Sequence, residues 1–201
     1  MNTKTNKNKL SVETLTYGAI LTALVIVLQL LGSFIKFGPF SVSLVLVPIV
    51  IGAALCGKWM GAWLGFVFGM TVLFSGDAAL FMAFDIPGAI ITVLVKGIAC
   101  GLVSGLVYQL VAKKNQTLGV ILAAVTCPIM NTGVFVLGCW VFFLKDLPAI
   151  ADVIGVAFTG NFAFVFLVLV GANFLFELGA NLILGPVITR LIQIAKKIKK
   201  S

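Results

Sequence analysis

Residues 48–70 read PIVIGAALCGKWMGAWLGFVFGM, with glycine recurring at every fourth position: Gly57, Gly61, Gly65 and Gly69. Residues four apart lie on one face of an α-helix. The ladder thus offers a strip without side chains, which a neighbouring helix can approach backbone to backbone. In lipid, apolar side chains gain little by leaving one apolar medium for another, and small residues spaced by four are a main means of helix packing. The stretch predicts a membrane-embedded helical hairpin built for close contact.

The rest of the chain agrees. Of 201 residues, 61% are hydrophobic and only 10% charged, with a mean hydropathy of +1.21. A soluble domain carries about 25% charged residues, so this chain has too few to cover itself in water. It reads as an all-α integral membrane protein with one membrane domain over residues 1–201. Residues 1–14 form a cytoplasmic N-terminal segment, 15–194 a six-helix bundle, and 195–201 a basic cytoplasmic tail.

The predicted spans run Leu15 to Phe34, Ser41 to Cys56, Lys58 to Phe74, Pro87 to Val111, Leu118 to Leu144, and Gly160 to Ile194. A spanning helix needs about 20 residues, so the second and third are short. In the long sixth segment, Gly185-Pro186 is expected to separate the span from the tail lysines. Between the third and fourth, SGDAALFMAFDIP (residues 75–87) predicts a short interfacial or re-entrant helix. No internal repeat is visible.

Basic residues set the orientation. With the N-terminus in the cytoplasm, eleven fall on that side: Lys4, Lys7, Lys9, Lys58, Lys113, Lys114, Arg190, Lys196, Lys197, Lys199 and Lys200. The outer loops hold two, Lys36 and Lys145, and both termini are therefore cytoplasmic. Asp77, Asp85, Asp146 and Asp152 fall outside. The net charge of +8 is a topology signal and an attraction to anionic membrane lipid. It is no nucleic-acid footprint.

Several chemistries drop out. There is no histidine, which removes histidine-dependent catalysis and histidine metal sites. Cys56, Cys100, Cys127 and Cys139 are scattered and read as small packing residues. Gly52-Ala-Ala-Leu-Cys-Gly57-Lys58 imitates a phosphate loop, but Trp59 stands where Ser or Thr would bind magnesium. The segment also lies in a turn between two membrane helices. No nucleotide site, metal site or catalytic residue is expected, and the chain reads as a non-enzyme without a cofactor.

Polar residues within spans are the functional candidates, because each is costly in hydrocarbon and tends to face a cavity or a partner. Lys96 lies about 13 Å along its helix from Pro87, at 1.5 Å per residue. It could meet an anionic or carbonyl-bearing solute, or pair with Asp85 or Glu177. Asn131 follows Pro128, which frees a backbone carbonyl and bends the helix. Asn173, Glu177 and Asn181 share one stripe, with Asn173 the shallowest of the three. Asn161, Asp77 and Asp85 gather at the outer mouth, where loop solvation is the stronger reading. Trp140 and Tyr108 are assigned to aromatic belts, Trp140 alternatively to stacking on a flat ring. Trp59 and Trp63 are assigned to the cytoplasmic belt. In the first span Ala19 and Ala23, with Gly18 and Thr22, form a small-residue face for a sister helix or another membrane protein.

Six spans in about 200 residues, both ends cytoplasmic, the AxxxA of Ala19 and Ala23, and the hairpin VSLVLVPIVIGAALCGKWMGAWLGFVFG (residues 42–69) together resemble the S component of energy-coupling-factor (ECF) vitamin transporters. The resemblance covers Leu15 to Ile194, although the family's frequent tryptophan in the first-helix motif is missing. It implies a multi-pass protein of the bacterial plasma membrane. The partners implied are a transmembrane coupling subunit, docked on Ala19 and Ala23, and two cytoplasmic ATPases. It also implies an outward pocket lined by the outer halves of the later helices and by the loop after the first. The substrate-binding candidates are Lys96, Asn131, Asn173, Asp85, Trp140 and Asn161.

The function that the resemblance implies is high-affinity capture of a water-soluble vitamin (riboflavin, pantothenate, folate or cobalamin class), followed by tilting of the whole subunit. Lys96 suits a carboxylate or phosphate, as in pantothenate or folate, whereas the phenylalanines suit a ring such as riboflavin's. A stand-alone secondary transporter built on Glu177 and Asn173 is the alternative. An intramembrane enzyme would have only Asp85, Glu177 and Lys96 to work with.

Overall fold

The computed structural model describes residues 12–34, 36–37, 40–41 and 44–198, with side chains for 12–34 and 44–194. Most of the predicted N-terminal segment and the terminal Lys199 and Lys200 lie outside the described residues, as does much of the loop after the first helix.

Helix α1 (Val12–Ser33) leads into a two-residue hairpin, β1 (Lys36–Phe37) and β2 (Phe40–Ser41), paired antiparallel. Helix α2 (Leu46–Cys56) returns, and α3 (Lys58–Ser75) rises beside it. A short α4 (Ala79–Met82) caps the outer side before α5 (Ile86–Val111) descends. Helix α6 (Gln116–Phe142) climbs again, α7 (Leu147–Ile154) lies in the outer loop, and α8 (Asn161–Ala163) opens the last segment. A π-helical stretch, Phe164–Leu169, then joins α9 (Gly171–Ile198). Five of these helices are long and apolar enough to cross a membrane, and the eleven-residue α2 is a shorter apolar one. Bulky apolar residues such as Ile183, Leu167 and Val141 stand more than two-thirds exposed on the bundle's outside, which suits lipid and not water.

The glycine ladder packs α3 on α5. A Cβ on Gly65 would strike the Gly97 carbonyl oxygen, and one on Gly97 would strike that of Gly65. Gly61 and Gly101 stand in the same reciprocal relation, and Gly69 lies against the backbone at Val93 and Leu94. The pairing runs antiparallel, 61 with 101 and 65 with 97. Its second half, Gly97, Gly101 and Gly105 on α5, went unread in the sequence although it repeats the same spacing.

Gly57 differs from the other three. It sits in the turn between α2 and α3 at φ +97°, ψ 170°, a region open essentially to glycine alone. Gly57→Ala is expected to cost about 1–3 kcal/mol, read as a lower unfolding temperature of the detergent-solubilised protein.

Two sequence expectations need correction. α9 does not stop at Gly185-Pro186 but continues to Ile198. In a bilayer the neighbouring amides have no water to turn to, so a helix carries on past a proline that would end it in a soluble protein. Tyr108 is not a belt residue, since it is 4% exposed and sits in the core with Cys100 and Val120. Trp59 and Trp63 are largely exposed near the α2–α3 turn, and Trp63 Nε1 donates to Thr22 Oγ1 of α1 at 3.2 Å.

The core divides into two apolar clusters. One joins α1, α2, α3 and the inner parts of α5, α6 and α9. The other joins α4, the outer end of α6, α7 and the π-helical stretch.

Candidate functional site

A cavity of about 50 Å³ lies where the two clusters meet. Its aromatic wall consists of Phe68 from α3, Phe81 from α4, and Phe135 and Phe143 from α6 and its end. Phe81 meets Phe135 and Phe143 edge-on, with ring centroids 5.3 and 5.1 Å apart. The polar wall is Gln29, Asp77, Thr92, Lys96, Asn173 and Glu177. A second cavity of about 20 Å³ also borders Lys96, Asn131 and Asn173.

Local structure sets each of these side chains. Asp85 adopts an extended backbone and its Oδ1 accepts from the Gly88 N–H at 3.1 Å. That cap, with Pro87 in the first turn, starts α5. Thr92 and Lys96, four residues apart, then share the face toward the cavity. Asn173 and Glu177 are likewise four apart on α9.

Lys96 Nζ stands over two rings, 5.7 Å from the Phe68 centroid and 5.5 Å from that of Phe135. The negative faces of aromatic rings attract a cation. Among the described residues Lys96 makes no salt bridge, with Asp85 or Glu177 or any other acid.

The two carboxylates are held by amides. Glu177, 1% exposed, accepts from Asn131 Nδ2 at 3.0 Å on Oε2 and from Asn173 Nδ2 at 3.2 Å on Oε1. Asn181 Nδ2 donates to the Glu177 backbone oxygen at 2.9 Å. Asp77 Oδ2 accepts from Gln29 Nε2 at 2.7 Å and from Ser75 Oγ at 3.2 Å. With their N–H₂ groups committed, Gln29 and Asn131 keep carbonyl oxygens that are buried without a partner among the described residues, and so is Thr92 Oγ1. A buried polar atom costs free energy until something bonds it. The site thus offers an ammonium group, two amide oxygens and a hydroxyl, framed by aromatic rings. Such a set of groups suits hydrogen bonding to a polar solute.

The structure divides the sequence candidates. Lys96 and Asn173 line the main cavity, and Asn131 lines the smaller one while holding Glu177. Asp85 is outside the lining and caps a helix. Trp140 is 37% exposed on α6 and lines neither cavity. Asn161, half-buried, begins the last segment and lines neither.

Gln29 and Thr92 were missed, as were the four phenylalanines of the wall. Gln29 was open to the rule that picked out the other polar residues, being a buried amide in an otherwise apolar span. Asp77, assigned to loop solvation, belongs to the cavity because α1 reaches it through Gln29. All four cysteines are free, and among the described residues no cluster could hold a metal ion.

A family model described as the substrate-specific component of ECF transporters matches residues 13–189. No curated protein and no solved structure matches the chain.

Proposed function

Because the chain belongs to the substrate-specific components of ECF transporters, we propose that it captures a water-soluble vitamin in the cavity around Lys96. Membership makes it a multi-pass cell-membrane protein and a substrate-binding subunit, and it implies association with an ECF module of a transmembrane component and ATPases. The observation that carries the reading of the site is the Lys96 ammonium, set over Phe68 and Phe135 and in no salt bridge among the described residues, although Asp77 and Glu177 line the same cavity. An anionic or carbonyl-bearing end of the solute would complete it. The free oxygens of Gln29, Asn131 and Thr92 would take the solute's donors.

Ligand pockets measure about 300–1,000 Å³, against about 50 Å³ here. Binding would therefore move α4 and the Phe81–Phe143 contact outward to admit a vitamin. Lys96 favours a carboxylate or phosphate, which keeps pantothenate and folate ahead, while the aromatic wall suits a planar ring such as riboflavin's. Transport would be driven by ATP hydrolysis on the partner subunits.

Purification in detergent followed by mass spectrometry of co-purified small molecules tests the reading. A tightly held vitamin supports it, and absence of binding across a vitamin panel sinks it. Uptake by vesicles without any ATPase would favour secondary transport instead.

Ala19 and Ala23 are exposed on α1, beside the Trp63–Thr22 bond that fixes α1 to α3. A docked coupling subunit would cover them. Ala19→Trp is expected to leave solute affinity unchanged while reducing uptake by the assembled transporter about tenfold or more, since a bulky ring prevents close helix approach. Equal loss of binding and uptake would refute this division of labour.

A further inference from the structure

A crevice of about 370 Å³ runs between α6 and α9 on the membrane face of the bundle and shares no lining residue with the solute cavity. Thr117, Ile121 and Ala124 form one wall, and Leu182, Gly185 and Pro186 form much of the other. The steps of three and four residues make each wall a continuous stripe along its helix. The hollow is due in part to Gly185, where a Cβ would meet nothing within 4 Å. Asn181 and Thr189 also line the crevice, eight residues apart on α9. At 1.5 Å per residue this wall is about 12 Å long, against about 15 Å for the hydrocarbon of one leaflet. An acyl chain segment fits a wall of that length.

The end near Thr117 and Thr189 faces the cytoplasm, where the chain's basic residues gather. Lys113 and Lys114 stand in the turn that leads into α6, and Arg190 directly follows Thr189. All three are exposed, and among the described residues none is in a salt bridge. Of the acids, Asp77, Asp85, Asp146 and Asp152 belong to the outer side, Glu177 lies deeper in α9, and Glu13 is on α1.

We propose that this crevice binds one anionic phospholipid of the inner leaflet, with an acyl chain along the α6–α9 seam and the headgroup phosphate against Lys113, Lys114 and Arg190. The apolar walls alone would accept any lipid. The basic rim selects a headgroup with net negative charge, because such cations attract anionic lipid surfaces.

Native mass spectrometry of the full-length protein tests this after incubation with equal amounts of phosphatidylglycerol and phosphatidylcholine carrying the same acyl chains. The expected result is one retained phosphatidylglycerol per protein, about tenfold over phosphatidylcholine. Changing Lys113, Lys114 and Arg190 together to Gln should remove that preference. Gly185→Leu, which keeps every charge and fills open space, should release the phosphatidylglycerol. Equal retention of the two lipids by the unaltered protein overturns the proposal. So does an undiminished preference in the triple variant, or full retention by Gly185→Leu, which would reduce the effect to attraction at the surface.

Discussion

Gly65→Leu is expected to abolish the folded protein. The Gly65 position faces the carbonyl oxygen of Gly97, and Gly97 faces that of Gly65, so neither helix can yield by turning a flexible side chain aside. Backbone would have to move, and the Gly61–Gly101 contact one turn away would move with it. Overpacking a well-fitted interior by a methylene or two costs about 1–3 kcal/mol, occasionally more. Total stabilities of about 5–15 kcal/mol leave little to absorb a leucine against main chain. Gly65→Ala should already lower the unfolding temperature by several degrees. Heating in detergent followed by size-exclusion chromatography reads both variants. The controls are Gly133→Ala and Gly179→Ala, where a Cβ meets nothing within 4 Å and stability should hold or rise slightly. A monodisperse Gly65→Leu protein with the parent's unfolding temperature would show that the α3–α5 contact is looser than described.

Lys96→Ala is expected to weaken solute binding about 100-fold, in the range for removing one partner of a buried charged contact. Its ammonium has two aromatic faces beside it and no acid in salt-bridge reach among the described residues, so its loss removes recognition more than internal structure. Lys96→Arg should recover part of the affinity, since it keeps the charge but spreads it over a larger planar group. Calorimetric titration with the co-purified vitamin measures both, alongside the unfolding temperature without solute. If Lys96→Ala lowered that temperature sharply and left affinity intact, Lys96 would be a structural counter-charge for Glu177 and Asp77. The solute's contacts would then have to be sought on Gln29, Asn131 and Thr92.

Much of this protein could be read in one dimension because lipid simplifies the problem. A segment in hydrocarbon must satisfy its backbone internally, so runs of apolar residues near the required length announce helices. Lysines and arginines then orient them. The same economy made Lys96, Asn131, Asn173 and Glu177 visible, since a polar group in a span needs a reason. The reading failed where helix continuity was judged by soluble-protein habits, at Gly185-Pro186. It failed also at Tyr108, given to the aromatic belt, and at Asp77, given to loop solvation at the outer mouth.

Which polar residues meet each other is a matter of rotation and depth, and periodicity within one helix cannot supply it. Asp85 and Asp77 are both outer-side aspartates in the sequence. Packing makes one a helix cap and brings the other to Gln29, 48 residues away. Asn131 and Glu177, 46 residues apart, meet only because α6 and α9 lie side by side. The sequence by itself determined the long membrane helices and the glycine strip, because each follows from a local rule about hydrocarbon. Only the tertiary structure gave that strip its partner, Gly97 and Gly101, and chose the residues that surround the cavity, because those depend on how separate helices are turned toward one another.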